Sequence, residues 1–145
     1  MKPTAALPFV ILVLGMTLKS VAIMMIQGLR RTKTRTFRWP EDAAYWRGVA
    51  SSDEDPQILR AQAALRNDGE SQPYFLAAAA AWLALGADEA LALIVCGTYL
   101  GLRVLHSAFL IWPRQPLRNR LFGLSLACLF VVLGDCVRIL LFSRG

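Results

Sequence analysis

Cysteine and recognition motifs are scarce in this sequence. It has three cysteines, Cys96, Cys128 and Cys136, which all lie in apolar stretches and never in C-x-x-C spacing. This favours structural burial of the thiols over disulfide or metal chemistry, so no metal site is expected. The net charge of +6 comes with no aromatic and basic recognition module, so nucleic acid is not among the expected partners. The sequence also has no inverted repeat or broken helix pair, the features that would favour a transporter.

Long apolar runs are abundant instead. Apolar residues make up 56% of the 145, which is typical of a membrane protein. A helix needs about 20 mostly apolar residues to cross the bilayer. The sequence predicts one all-α membrane domain, 1–145, with spans at about 7–29, 73–87, 90–112 and 121–142. The second span is short unless a polar helix, from about residue 57, continues into it.

Loop charges predict the orientation of these spans. The first apolar run continues past Lys19 without a small-residue cleavage site, so we interpret it as a retained span and not as a signal peptide. Arginine and lysine are concentrated in segments 30–72 and 113–120, which we therefore expect to be cytoplasmic and near lipid head groups. Without a targeting or retention signal, the sequence favours a bacterial cytoplasmic membrane.

The polar segment 30–72 divides into two parts. Its centre, RWPEDAAYWRGVASSDEDP, is interpreted as a loop because two prolines and a cluster of turn residues interrupt it. From Gln57 onward the composition predicts a helix that runs toward the second span. In the spans, the alanines at 77–81 and the pattern Gly97-x-x-x-Gly101 allow close helix packing. Sequence spacing leaves open whether that packing is inside one bundle or between subunits.

Five ionisable residues lie at membrane depth, where charges are costly and usually face a bundle interior. They are Lys19, Arg103, His106, Asp135 and Arg138. Arg103 and His106 are three residues apart and share a helix face, which makes a ligand contact as plausible as a structural role. Asp135 and Arg138 have the same spacing and are interpreted as a mutually neutralising pair. Lys19 is expected to be structural, paired with an acid elsewhere.

A polar face precedes the second span, in the stretch RAQAALRNDGESQPYF. Arg66, Asn67 and Glu70 occupy positions i, i+1 and i+4, so they share one broad face of a helix. An acid, an amide and an amine would satisfy them, as a small zwitterionic peptide does. The alternative is a solvated helix end with an Arg66 to Glu70 ion pair.

Three stretches together resemble one known family. LKSVAIMMIQGLRRTKTRTFRWPEDA, RAQAALRNDGESQPYF and RVLHSAFLIWPRQPLRN resemble the membrane-associated proteins in eicosanoid and glutathione metabolism (MAPEG). The resemblance extends from about Lys19 to Phe122 and is strongest to the branch of microsomal prostaglandin E synthase and microsomal glutathione transferase. It implies a four-helix membrane bundle that assembles as a homotrimer, with glutathione between subunits near the cytoplasmic face.

The resemblance also implies roles for individual residues. Matched by motif, the residues that would contact glutathione are Arg31, Arg66, Asn67, Glu70 and His106. Arg118 would stabilise the glutathione thiolate, and Asp42 matches an acid proposed to assist chemistry in the prostaglandin synthase. The implied activity is a glutathione transferase or peroxidase that acts on lipophilic electrophiles or hydroperoxides.

Three positions depart from the family pattern. Leu110 and Phe122 stand where tyrosines are expected, and Asn119 replaces a serine. These changes remove hydroxyl donors from the expected site and argue against an eicosanoid substrate. They also favour an alternative function, a non-catalytic membrane scaffold that keeps the fold and binds lipid or a protein partner.

Overall fold

Four long helices pack side by side in the computed structural model, which describes residues 6–142. They are α1 (Leu7–Thr34), α3 (Pro56–Ala84), α4 (Glu89–Ile111) and α5 (Gln115–Phe142), and a six-residue helix, α2 (Pro40–Tyr45), lies between the first two. Asp55 and Asp88 cap α3 and α4 by accepting hydrogen bonds from the backbone N–H groups of Gln57 and Leu91.

Three of these helices, α1, α4 and α5, are long and apolar enough to cross a membrane. In the most apolar windows of α1 and α5 only 17% and 11% of the residues are buried. Large apolar side chains such as Leu18, Met25 and Phe130 are more than half exposed. An apolar surface of this extent is typical of helices that face lipid. The membrane character expected from the sequence is therefore supported by three helices.

The polar helix and the short second apolar run form one continuous helix, α3. It begins at Pro56, near the start expected at residue 57, and passes through Pro73 without a break before it ends at Ala84. Proline at position 73 removes one helix N–H, which a membrane helix tolerates when its neighbours satisfy the freed carbonyl. By length and composition α3 is not among the three candidate spans, because its first half is polar.

The loop interpretation of RWPEDAAYWRGVASSDEDP was wrong in part. Pro40–Tyr45 forms α2, and β1 (Thr36–Phe37) pairs in parallel with β2 (Val49–Ala50). Pro40 stands at the start of α2, where its missing N–H costs nothing. Gly48 lies against β1, and a Cβ there would stand 2.4 Å from the Arg35 carbonyl oxygen. The segment thus folds back onto the end of α1.

A second difference concerns the start of the last helix. The sequence analysis assigned 113–120 to a loop, but α5 already begins at Gln115. The predicted span began at Leu121, where the apolar run begins, whereas the helix starts in the preceding polar segment, and proline is well tolerated in the first turn of a helix. Arg118 therefore lies on the first turn of a helix whose backbone conformation fixes its position.

The core lies between the four long helices. Its apolar part is formed by Leu12, Phe75, Trp82, Ala92 and Val132, all at 0% exposure. Gly97 and Gly101 are outside it, because both are exposed and a Cβ on either would meet no atom within 4 Å. Of the two uses proposed for this glycine pair, packing inside one bundle is therefore absent from the part of the chain described.

Candidate functional site

A cavity of about 370 Å³ opens where α4 gives way to α5, on the side covered by α3. Its lining residues come from these three helices and are Ala63, Asn67, His106, Leu110, Arg118, Asn119 and Phe122. The volume falls within the usual range for small-molecule sites. The lining includes three of the sequence-predicted site residues, Asn67, His106 and Arg118, together with the three positions that depart from the family pattern.

Asn67 is oriented by a buried arginine. Nη2 of Arg103 donates to the Asn67 side-chain oxygen at 2.7 Å and to Oδ1 of Asp68 at 2.6 Å. Because arginine only donates hydrogen bonds, the oxygen of the Asn67 amide must face it. The NH₂ group of Asn67 is thereby free to donate to a molecule in the cavity. Arg103, which the sequence placed on one face of α4 with His106, thus positions Asn67.

His106 contributes a ring to the same cavity. It is 5% exposed and makes no hydrogen bond to another described residue. Its ring centroid lies 5.9 Å from that of Phe122 on α5. The imidazole therefore has both nitrogens available for a ligand, whereas Phe122 supplies only an apolar wall.

Arg118 contributes the cavity's permanent positive charge. It lies on the first turn of α5, where the unpaired backbone N–H groups of the helix also favour an anion. Arg118 makes no ion pair with any acid in the part of the chain described. Its guanidinium is therefore available to a negatively charged ligand, and the permanent charge of arginine does not depend on pH.

Arg66 and Glu70 are not among the residues that line this cavity. Successive residues of a helix are rotated by about 100°, so Arg66 and Glu70, four apart, lie together on the flank of α3 beside Asn67. Both are exposed, and neither has an ion-pair partner in residues 6–142. The alternative i,i+4 ion pair between them is likewise absent from this part of the chain. The three residues therefore do not face the same surroundings. Asn67 faces the cavity, whereas Arg66 and Glu70 lie beside it on the exposed side of α3.

Arg31 and Asp42 also lie away from the cavity. Arg31 Nη2 donates to Oε1 of Glu54 at 2.7 Å, and Gln62 donates to Oε2 of the same carboxylate at 2.8 Å. Burial alone would raise the pKa of Glu54, but these hydrogen bonds and the charge of Arg31 outweigh it, so the pKa is lowered. Arg31 thus binds a carboxylate of its own chain. Asp42 is exposed on α2.

The sequence analysis did not identify Asp68 as a site residue. It lies 3% exposed between two buried cations, where it forms an ion pair with Lys19 Nζ at 2.7 Å and accepts a hydrogen bond from Arg103. Lys19 on α1 does pair with a distant acid, as expected. The sequence did contain a signal for Asp68. A lysine at membrane depth needs an acid as its partner, and Asp68 is an acid directly beside the predicted site residue Asn67. One carboxylate faces two cations, so the cluster of Lys19, Asp68 and Arg103 has a net positive charge beside the cavity.

The other charged pair lies at the opposite end of the bundle. Arg138 Nε donates to Oδ1 of Asp135 at 2.5 Å, as the spacing predicted. Asp135 also accepts from the indole N–H of Trp82, at 2.8 Å, which the sequence did not indicate. This cluster joins α3 to α5 and takes no part in the cavity.

The cavity can therefore hold a molecule that has an anionic group and hydrogen-bond acceptors. Arg118 offers a positive charge, Asn67 offers N–H donors, and the imidazole of His106 offers a donor and an acceptor. Leu110 and Phe122 make the remaining wall apolar. Positive charge in a partly apolar setting is an environment that stabilises a thiolate.

The sequence model of the MAPEG family matches residues 5–138 of the chain. This match includes every residue that lines the cavity and all four long helices except the last turn of α5. Among curated proteins, none matches the chain.

Proposed function

Because the chain belongs to the MAPEG family, we propose that it is a glutathione-dependent membrane transferase or peroxidase. Its second substrate would be a lipophilic electrophile or hydroperoxide that reaches the site from the bilayer. Within the family, the resemblance is to the branch of microsomal glutathione transferase and prostaglandin E synthase. The membrane would be a bacterial cytoplasmic one, with segments 30–72 and 113–120 on the cytoplasmic side.

The observation that carries this proposal is the convergence of Asn67, His106 and Arg118 on one cavity. These residues come from three different helices and are separated by up to 51 positions in the sequence. Glutathione has two carboxylates, two amides and a thiol. The cation, the N–H donors and the imidazole complement that set of groups.

Arg118 would act on the thiol. A thiol with a pKa near 8.5 is only a few per cent ionised at neutral pH, and each unit of lowering requires about 1.4 kcal/mol of preferential stabilisation of the thiolate. A guanidinium beside a partly apolar wall supplies such stabilisation, since the local dielectric is lower than that of water. The thiolate then attacks the electrophile, and no nucleophile from the protein is needed.

The remaining predicted contacts would require a second subunit. Arg66 and Glu70 are exposed without partners in the described chain, and Gly97 and Gly101 present a smooth, exposed strip on α4. Assembly as a homotrimer would place a neighbouring helix against such surfaces. In that assembly Glu70 would take the amino group of glutathione and Arg66 an acid group. Arg31 and Asp42 stay predictions from the resemblance.

A second function, a scaffold without catalysis, is favoured by one observation. Leu110 and Phe122 line the cavity directly, so the two hydroxyls expected there are missing from the cavity wall. A scaffold would bind lipid or a protein partner and show no saturable glutathione binding. Calorimetric titration of the detergent-solubilised protein with glutathione separates the two functions.

The test of the proposed enzyme is the variant Arg118→Ala, with Arg120→Ala as its matched control. Arg120 is an exposed arginine on the same turn region and does not line the cavity. We expect Arg118→Ala to lower kcat for conjugation of an aryl halide by 10²-fold or so, as for loss of one charge-stabilising donor. Glutathione affinity should change much less. Full turnover in Arg118→Ala would refute the role of this arginine.

A further inference from the structure

A second, smaller cavity lies next to the glutathione site and has a different character. Its volume is about 30 Å³, and Phe122 lines both cavities. Its polar lining consists of three hydroxyl side chains, Ser71 on α3, Tyr99 on α4 and Ser125 on α5. A volume of this size holds one or two water-sized groups. It is too small for a whole ligand and suited to one functional group of a ligand.

The two serines offer only acceptors to this cavity. Ser71 Oγ donates its hydrogen to the carbonyl of Asn67 at 2.7 Å, and Ser125 Oγ donates to the carbonyl of Phe122 at 2.8 Å. Each hydroxyl has one hydrogen and two lone pairs. With their hydrogens engaged, Ser71 and Ser125 retain lone pairs.

Tyr99 has an unused donor. It is 3% exposed, its ring stacks on Phe75 with centroids 3.5 Å apart, and its hydroxyl makes no hydrogen bond to another described residue. Because Tyr99 lines the small cavity, its hydroxyl hydrogen is available to a group that enters this cavity. The small cavity therefore presents one donor and two acceptors, which is complementary to a group that both accepts and donates, such as –OH or –O–OH.

We propose that this small cavity is the subsite for the hydroperoxide group of a lipophilic peroxide, and that Tyr99 holds its oxygen. This inference rests on the proposed function, because glutathione supplies the reducing electrons. The thiolate attacks the terminal oxygen of R–O–OH, a sulfur–oxygen bond forms, and the O–O bond breaks. The alkoxide accepts a hydrogen bond from Tyr99 and takes a proton from water. The glutathione sulfenic acid reacts with a second glutathione to give the disulfide and water.

In this subsite the Tyr99 hydroxyl would replace the hydroxyl donors that are missing at Leu110 and Phe122. Phe122 has no hydroxyl, but it lines both cavities, so the small cavity that holds the Tyr99 donor adjoins the larger one at this side chain. Tyr99, Arg103 and His106 lie at i, i+4 and i+7 of α4 and therefore on one helix face. A hydroxyl on this face selects for substrates with oxygen at the reacting centre over aryl halides.

The test compares Tyr99→Phe with the control Tyr74→Phe, which removes the hydroxyl of a tyrosine that is 70% exposed. The probes are cumene hydroperoxide and chlorodinitrobenzene, each with glutathione in detergent. We expect Tyr99→Phe to lower kcat/KM for the hydroperoxide about tenfold, as for loss of one hydrogen bond. Conjugation of the aryl halide and the Kd for glutathione should stay within twofold, and Tyr74→Phe should match the wild type in all three.

Two results would overturn the inference while leaving the proposed function intact. One is an unchanged hydroperoxide rate in Tyr99→Phe, as expected if the small cavity holds water only. The other is an equal loss on both substrates, which would make the hydroxyl structural. A wild-type protein that neither binds glutathione nor conjugates the aryl halide would instead refute the proposed function, and the subsite with it. Ser125→Ala, which removes one acceptor, should show the same substrate-dependent loss in a smaller degree.

Discussion

Replacing Asp68 with asparagine tests the buried charge cluster that positions the site. The carboxylate of Asp68 is 3% exposed and lies 2.7 Å from Lys19 Nζ and 2.6 Å from Arg103 Nη2. Asparagine has nearly the same shape and keeps one oxygen, so the change removes charge with little change in volume. It leaves two cations, at 8% and 0% exposure, without a counter-charge.

The expected cost follows from this burial. Removing one partner of a buried ion pair typically destabilises a protein by about 3–5 kcal/mol, because the remaining charge is uncompensated. Here one carboxylate serves two cations, so we expect Asp68→Asn to lie toward the upper end of that range. Lys19→Met should cost much less, since it leaves Asp68 and Arg103 as a balanced pair. Combining Lys19→Met with Asp68→Asn should therefore recover part of the stability that Asp68→Asn loses.

The assay is equilibrium unfolding of the solubilised protein with increasing denaturing detergent, followed by helix content. Asp53→Asn is the matched control, because Asp53 is exposed and its carboxylate has no ion-pair partner among residues 6–142. A loss below about 1 kcal/mol for Asp68→Asn, or a double variant less stable than both single variants, would refute the charge argument. Glutathione affinity should fall together with stability, since Arg103 would no longer be fixed against Asn67.

Two further predictions concern the segment between α1 and α3. Because the pKa of Glu54 is lowered in the folded chain, its stabilisation is complete above the ordinary carboxyl pKa of about 4.3 and disappears as the pH falls through the lower folded value. Glu54→Gln should therefore unfold more easily than the wild type at pH 7, by about 1–2 kcal/mol. Thermal unfolding should show this difference shrinking toward pH 3, and a difference that grows on acidification would contradict it. Gly48→Ala, whose Cβ would meet the Arg35 carbonyl at 2.4 Å, should separate β1 from β2 and make the segment a faster target for limited proteolysis. Gly69→Ala, with no atom within 4 Å of the added carbon, is the control, and the protease should cleave it no faster than it cleaves the wild type.

The sequence predicted the long helices well because their signals are local. Apolar runs located α1, α4 and α5, and the composition after Gln57 indicated the helix that continues as α3. The spacing of Asp135 and Arg138 predicted their ion pair. Each of these depends on residues that are neighbours in the chain, so periodicity and composition are sufficient.

Other features depended on contacts between distant residues. The pairing of Lys19 with Asp68 joins helices that are 49 positions apart, and only the packed bundle shows which acid is chosen. Asn67 was grouped with Arg66 and Glu70, but their difference in burial is set by the neighbouring α4 and not by α3 itself. The start of α5 was placed too late because the first turn, from Gln115, is polar, and the prediction followed only the apolar run from Leu121.

The continuity of α3 links the cavity to the opposite end of the bundle. This helix of 29 residues is about 40 Å long, with Asn67 on the cavity wall and Trp82 hydrogen-bonded to Asp135 at the far end. Because α3 is one continuous helix that is held at Trp82, a change in its tilt would also move Asn67. Membrane helices tilt more as the hydrocarbon layer becomes thinner. We therefore expect the position of the Asn67 amide relative to Arg118, which come from different helices, to change with lipid chain length, and glutathione titrations in lipids of defined thickness would measure this.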